Sequence, residues 1–419
     1  MAASLADWLA RQERSHPSAI DLGLTRVREV ADRLGLLSPR HRVITVGGTN
    51  GKGSTVAFLD ALLRAAGRRC GRFTSPHLTR YNERICIDGV EATDEQLIGA
   101  FARIDAARGE VSLTFFEYNT LAALDLFARA AVDVAVLEVG LGGRLDATNI
   151  IDADVAVVCS IGIDHVDWLG HSREQIGREK AGIFRAGRPA VLGSNDMPES
   201  VYAAIEALGA QARVPGRDYQ VKEHAGGWDF SCGSVHLRDL PWPALAGAQQ
   251  LGNAATALAA LLALDEDSDA ALTPETVARA LRAVSIRGRF QIVPGEVEWV
   301  LDVAHNVPAA EALRANLAAL PERHTIAVCG VLGDKDIAGI TAAMAPAIDA
   351  WVLTRLEGAR AVPAHELSAR LPAGAKVLSQ TDDVIAACRA ARAAAAPGQR
   401  IVVFGSFLTV GPALEFLGI

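Results

Sequence analysis

The stretch from His41 to Leu63 constrains this chain more than any other. His41-Arg42-Val43-Ile44-Thr45-Val46 ends in a β-branched run of the kind a buried strand needs. Gly47-Gly48-Thr49-Asn50-Gly51-Lys52-Gly53-Ser54-Thr55 follows, rich in glycine with a single lysine. From Val56 to Leu63 apolar residues recur at helical spacing, and Gly67 is placed to end that helix. Strand, glycine loop, lysine, hydroxyl and helix together predict a phosphate cradle. Loop N–H groups and the helix N-terminus face the anion, Lys52 adds a point charge, and a hydroxyl can reach Mg²⁺. The spacing departs from the usual P-loop. Three residues, not four, separate Gly47 from Gly51, and Gly53 stands between Lys52 and Ser54. The plain alternative is a glycine-rich turn, but the flanking elements favour phosphate binding.

The rest of the chain repeats the αβ rhythm. Helices are expected at 4–14, 25–35, 94–108 and from Thr114 to about 130. Apolar runs Val132–Val139 and Asp154–Ile161 read as buried strands. Tyr81–Ile87 also reads as a strand, after a loop broken at Pro76. Residues 213–245 read as a small antiparallel excursion, and Asn253 as the start of an Ala/Leu helix. Strands then alternate with helices from 298 to 406. Short buried strands alternating with helices imply an α/β fold with a mostly parallel sheet, whose ligands lie beyond the C-terminal strand ends. At 419 residues two domains are expected, divided near 286–296.

Net charge is −8, which argues against broad nucleic-acid binding. The N-terminus lacks the features of a signal peptide, and no uncharged run is long enough to span a bilayer. The six cysteines are scattered without a CxxC pair. They read as small buried residues of a cytoplasmic protein.

Several polar groups stand where strands end. Glu138 closes an apolar run, where a carboxylate is costly unless paired or on a metal, and Mg²⁺ ligation is the favoured reading. Asp164-His165 has the same placement, with metal or phosphate binding weighed evenly against an ordinary histidine. Asp302-Val303-Ala304-His305-Asn306 follows a strand in the second half. It suggests a site, against the alternative of an Asx turn; Gly330 to Asp336 is a weaker case. Lys180, in Arg178-Glu179-Lys180, reads as part of a solvated helix face. A Ser75-His77 nucleophile is discounted, because no G-x-S-x-G elbow surrounds Ser75.

The combination of Gly48 to Ser54, Ser75-Pro76-His77-Leu78, Phe116-Glu117, Glu138 to Asn149, Asp164-His165, Glu179 to Ile183, Gly288-Arg289-Phe290, Asp302 to Asn306 and Asp334-Lys335-Asp336 resembles the bacterial bifunctional dihydrofolate synthase/folylpolyglutamate synthases of the Mur-ligase superfamily. The resemblance runs in order along nearly the whole chain. It implies a P-loop N-terminal domain (1–288) and a smaller Rossmann-like glutamate-ligase domain (289–419). The activity it implies joins L-glutamate to dihydropteroate and to reduced folates through an acyl phosphate, with ATP as co-substrate and two Mg²⁺ ions.

The resemblance also assigns residues. ATP falls to Thr49, Asn50, Gly51, Lys52, Gly53, Ser54, Asn253, Arg289 and Asp302. The metals fall to Ser54, Ser75, Glu138, His165 and a Lys180 carbamylated by CO₂, which revises the solvated reading of that lysine. Lys52, Lys180, His165 and His305 carry catalysis. Ser18, Asp21, Thr114, Phe115, Phe116, Glu117, Leu145, Asp146 and Ala147 serve the pterin. A cytoplasmic monomer is expected. The rivals are a UDP-sugar Mur ligase, disfavoured because only about 40 residues precede the first strand of the cradle, and a non-catalytic ATP-binding module.

Overall fold

Apolar runs bounded by glycine and polar loops become strands of three sheets in the computed structural model, which describes residues 4–18, 20–264, 272–358 and 360–419. The chain divides into two units. One comprises Met1–His77, Tyr81–Ala244 and Leu251–Val284; the other comprises Leu78–Arg80, Leu245–Gln250 and Ser285–Ile419.

The first unit holds an eight-stranded sheet. In chain order its strands are β1 (Arg42–Gly47), β2 (Cys70–Phe73), β3 (Ile85–Ile87), β4 (Val90–Glu91), β5 (Val134–Glu138), β6 (Val155–Val158), β7 (Pro189–Leu192) and β8 (Gln211–Arg213). Across the sheet they run β4-β3-β2-β5-β1-β6-β7-β8. From β2 through β5, β1, β6 and β7 to β8 every pairing is parallel, whereas β3 pairs antiparallel with both β2 and β4. β1 sits between β5 and β6, so Val46 lies opposite both Glu138 and Val157. A central strand covered on both faces is apolar along most of its length, and Val43–Gly47 and all of β5 are buried, with Thr45 and Glu138 as their polar exceptions.

The helix Lys52–Ala65 is buried from Ser54 to Leu63. It packs on β1, β2 and β5 and on the helix Pro274–Ala283. Full burial of Phe58, Leu59, Leu62 and Leu63 contributes about 1.5–3 kcal/mol each. This anchors the loop before it.

A three-stranded antiparallel sheet, β9 (Tyr219–His224), β10 (Gly227–Cys232) and β11 (Val235–Leu240), forms the expected excursion. The second unit carries a six-stranded sheet of β12 (Gln291–Val293), β13 (Glu298–Leu301), β14 (Thr325–Cys329), β15 (Ala350–Thr354), β16 (Val377–Thr381) and β17 (Arg400–Phe404). Its order is β12-β13-β17-β14-β15-β16, parallel except at β12. The fold is therefore α/β in both units, as expected.

Two local expectations need correction, and one helix was not foreseen. Tyr81–Arg84 is a 3₁₀ turn and only Ile85–Ile87 is strand. The Asn82 side chain donates to the Ala92 carbonyl at 2.8 Å and to Asp94 at 2.9 Å, which holds the turn. The helix expected from Asn253 starts at Gln249, just after Ala248 donates to Asn316 Oδ1 at 3.1 Å. The C-terminal helix Phe407–Leu417 was hidden by Gly411 and Pro412. Gly411 is there for space, since a Cβ would stand 2.2 Å from the Leu78 carbonyl oxygen. Among the described residues no helix is long and apolar enough to cross a membrane.

Candidate active site

The glycine loop leaves β1 and enters the helix at Gly51, whose φ of 90° is left-handed. Gly48, at φ 140°, lies against the end of β6: a Cβ there would be 3.1 Å from Cys159 Cβ. The two loops are laced together. Thr49 N donates to the Ser160 carbonyl at 2.8 Å, Asn50 N to Ser160 Oγ at 3.1 Å, and Gly162 N to Thr49 Oγ1 at 3.0 Å. Lys52 Nζ folds back to the Gly48 and Thr49 carbonyls at 3.0 and 3.3 Å. Asn253 is brought to the same loop, because a Cβ on Gly51 would meet Asn253 Oδ1 at 2.8 Å. Ser54 is buried in the first helical turn. The structure thus gathers Thr49 to Ser54 and Asn253 into one place.

Glu138 ends β5 and is buried. It accepts a hydrogen bond from Ser75 N at 3.2 Å, which joins two of the expected metal ligands. Beside them lies a group that the sequence reading did not single out, the buried Arg84. Its guanidinium lies 5.5 Å from the Phe115 ring centre and 5.7 Å from that of Tyr81, and its Nε donates to His77 Nδ1 at 2.8 Å. Burial, with the Arg84 charge added, pushes His77 down to about 4. An arginine next to a β-branched run was the only sign available in the sequence.

Lys180 is not on a solvated face. It is 5% exposed, on the inner side of the helix Arg173–Ala181. The loop after β5 closes over it: a Cβ on Gly143 would stand 2.9 Å from the Lys180 carbonyl oxygen. Arg144 pairs with Glu179 at 3.0 Å and clips the same loop to the helix. Burial first, and the charge of Lys52 second, bring the Lys180 amine down to about 7; Asp164 and Asp146 oppose this. A lysine brought this low gives up its proton far more readily than an ordinary lysine does. The charge pattern around Lys180 misled because local i,i+4 pairs say nothing about which face meets the sheet.

His165 adopts a left-handed φ of 52° before the short helix Val166–Leu169. Its Nε2 is 3.9 Å from Asp164 Oδ2. Among the described residues the one triad of His, Asp, Glu or Cys ligand atoms within 4.8 Å of each other lies elsewhere, at His224, Asp229 and Asp239 of the three-stranded sheet. There His224 faces Asp229 at 3.4 Å, and Asp229 also accepts from Asp239 N at 3.0 Å, so ion pairing and a hairpin bond account for the grouping.

The expected pterin residues fall into two groups. Thr114 caps the helix Phe115–Ala130 in a reciprocal box with Glu117, through bonds of 2.7 and 3.2 Å. Arg26 bridges that buried carboxylate at 3.2 Å to Asp21 at 2.8 Å. Ser18 and Asp21 are further linked through His16. Phe116 packs on Phe73 and over Gly140, where a Cβ would stand 2.6 Å from its ring. In the second group Asp146 accepts four hydrogen bonds of 2.7–3.0 Å, from Gly140 N, Leu141 N, Thr148 N and Thr148 Oγ1. Asp146 is thus a buried keystone of the loop carrying Leu145 and Ala147.

In the second unit Asp302 accepts from Phe290 N and Ala304 N, both at 2.8 Å, and burial raises its carboxyl against the pull of Arg289. Arg289 stands 5.3 Å over the Phe407 ring, and His305 lies 6.0 Å from the same ring. His305 Nδ1 is 2.8 Å from the Val303 carbonyl, so Nδ1 carries the ring proton. Asn306 caps the next helix by accepting from Ala309 N at 3.0 Å. The Asx alternative is therefore what Asn306 does. Asp336 likewise caps a helix, and Asp334 pairs with Arg360 at 3.0 Å.

The Mur ligase middle domain matches residues 46–261, and the Mur ligase glutamate ligase domain matches residues 288–407. The dihydrofolate synthase/folylpolyglutamate synthase of Escherichia coli is 46% identical over 99% of this chain and 96% of its own length. That of Mycobacterium tuberculosis is 37% identical over 85% of this chain and 79% of its own. The structure of E. coli FolC in complex with DHPP and ADP superposes with a TM-score of 0.93 at 45% identity, covering 100% of this chain and 98% of that one. A bifunctional folylpolyglutamate synthase/dihydrofolate synthase with Mn, AMPPNP and L-glutamate bound gives 0.90 at 45% identity, covering 100% and 98%.

Proposed function

This chain belongs to the Mur ligases and, among them, to the dihydrofolate synthase/folylpolyglutamate synthases, and from that premise we propose how its residues carry out the reaction. It is an ATP-dependent ligase that joins L-glutamate to dihydropteroate and to reduced folates. The observation that carries the residue-level reading is the pairing of two lysines. Lys52 lies on the glycine loop, and its charge is felt by a second lysine, Lys180, buried with its amine near neutrality.

The chemistry must turn a carboxylate, a poor electrophile, into an acylating agent. ATP transfers its γ-phosphoryl group to the carboxylate oxygen and leaves as ADP. The amino group of glutamate then attacks the acyl carbon, the C–O bond to phosphate breaks, and the amine gives up a proton as the amide forms. For chain extension the acceptor is the γ-carboxyl of the folate's glutamate. Positioning and charge neutralisation supply most of the acceleration in such transfers. Lys52 exchanges the Gly48 and Thr49 carbonyls for phosphate oxygens. The N–H groups of residues 49–54 line the same anion, and Asn253 borders the nucleotide. Arg289 and Asp302 serve the nucleotide and His305 the glutamate and phosphate side.

Divalent metal fits the donors present: Ser54, Ser75, Glu138, His165 and a carbamylated Lys180 offer the hard oxygen and imidazole ligands that Mg²⁺ accepts. The Ser75 to Glu138 contact and the partly neutral Lys180 amine, which is the form that adds to CO₂, support that assignment. When bound, two such ions neutralise phosphate charge. For the pterin, Phe115 and Phe116 offer ring faces, Thr114 and Glu117 fix them, and Leu145-Asp146-Ala147 forms the facing loop. Ser18 and Asp21 join through Arg26 and His16.

The test is phosphate release that requires both glutamate and either dihydropteroate or a reduced folate, with product masses recorded. No release with either pterin would overturn the reading. Light scattering checks the expected monomer.

A further inference from the structure

The end of the eight-stranded sheet opposite the glycine loop carries a second concentration of positive charge. Arg42 opens β1, Asp154 directly precedes β6, and Arg188 directly precedes β7. These three neighbouring parallel strands therefore begin at one place, roughly 17 Å along β1 from the loop. A cavity of about 330 Å³ lies there. Arg28, from the helix Thr25–Arg33, and Arg40 and His41, from the approach to β1, also line it.

The two acidic residues in the wall are already engaged. Asp154 takes Arg42 at 3.0 Å and Arg188 at 2.6 Å, and also accepts from Val43 N at 2.7 Å. Asp152 pairs with Arg185, which does not line the cavity. Among the described residues neither Arg28 nor Arg40 has an ion-pair partner. His41 adds an independent sign. Its Nε2 is shut off from solvent and has no hydrogen-bond partner, which is uncommon for a ring nitrogen unless a ligand completes it. In a chain of net charge −8, two unpaired guanidinium groups and an orphaned imidazole nitrogen around one cavity form a receptor for an anion.

We propose that this cavity, at the N-terminal ends of β1, β6 and β7, is a second anion site that binds the phosphate group of a small phosphomonoester. Arginine forks match a dianionic phosphate in charge and geometry. The volume falls in the range of small-molecule sites and leaves room for an organic body, against which Leu37, Pro39 and Ile150 offer carbon. No residue of the site belongs to the ligation machinery.

Isothermal titration of the full chain with phenyl phosphate, glycerol 3-phosphate and inorganic phosphate tests this. Saturable binding of at least one ester, tighter than inorganic phosphate, is expected. The exposed pair Arg28→Gln/Arg40→Gln should weaken it at least tenfold without changing the rate of glutamate ligation, whereas Lys52→Ala should leave the binding intact. The proposal is overturned by absence of saturable ester binding, by stronger binding of inorganic phosphate, or by affinity that survives the double substitution. It is overturned equally if the double substitution slows ligation, or if Lys52→Ala abolishes binding and so places the ester in the glycine loop.

Discussion

Arg84 holds His77 in one tautomer. Its Nε–H donates to His77 Nδ1 at 2.8 Å, so Nδ1 is the acceptor and the neutral ring carries its proton on Nε2. The arginine in turn lies against Tyr81 and Phe115, so an aromatic wall and the Ser-Pro-His loop are set by one cation.

In metal-free protein, ¹⁵N spectra should therefore show His77 as the Nε2–H form, staying neutral well below pH 6.5, with a midpoint near 4. The unfolded chain takes up that proton near 6.5 while the folded chain resists it. Between pH 6.5 and about 4 the unfolded state thus binds more protons, and this contribution to stability is lost as pH falls through that window. Arg84→Met should move the midpoint upward. An unchanged midpoint would mean burial alone depresses it.

Gly51→Ala forces a side chain onto a left-handed φ of 90° and into Asn253 Oδ1 at 2.8 Å. Strain of about 1–3 kcal/mol is expected, released by displacing the loop or Asn253. Fluorescent-ADP titration should find affinity reduced at least tenfold. Wild-type affinity would show that the loop does not hold the nucleotide.

Lys180→Ala should reduce ligation at least a hundredfold without lowering the melting temperature, because a buried amine is removed. Formate or acetate should restore part of the rate, standing in for the carbamate oxygens. Full activity in the unrescued variant would remove Lys180 from the metal site.

Asp146→Ala strands Gly140, Leu141 and Thr148 N–H groups. A loss of about 2–4 kcal/mol in denaturant unfolding is expected. If Asp146 acts on the pterin only by shaping its loop, KM for both pterin substrates rises while KM for ATP stays within about twofold. An equal rise in both would place the residue in general stability.

The α/β architecture was legible because its central strands are short and largely apolar on both faces. The cradle was legible too, since Gly48 and Gly51 occupy φ values that other residues avoid. Lys180 was not. Its neighbours on the chain are charged and its neighbours in space are the Gly143 loop and Lys52, which only the fold brings together. Arg84 escaped for a related reason, as its partners His77, Tyr81 and Phe115 meet only through tertiary packing. Asn306 shows a different case: the local Asx bond weighed as the alternative to a site there is the one its side chain makes, as the cap of the helix Val307–Ala318.

The back-folded Lys52 has a thermodynamic consequence. Its ammonium already holds two carbonyl oxygens before any ligand arrives. Engaging a phosphate therefore trades hydrogen bonds one for another, and their number need not grow. What changes is the charge of the acceptor, from a neutral carbonyl to an anionic oxygen. The lysine thus acts as a valence sensor: its share of the affinity should follow the charge and ionic strength at the loop more closely than the count of contacts.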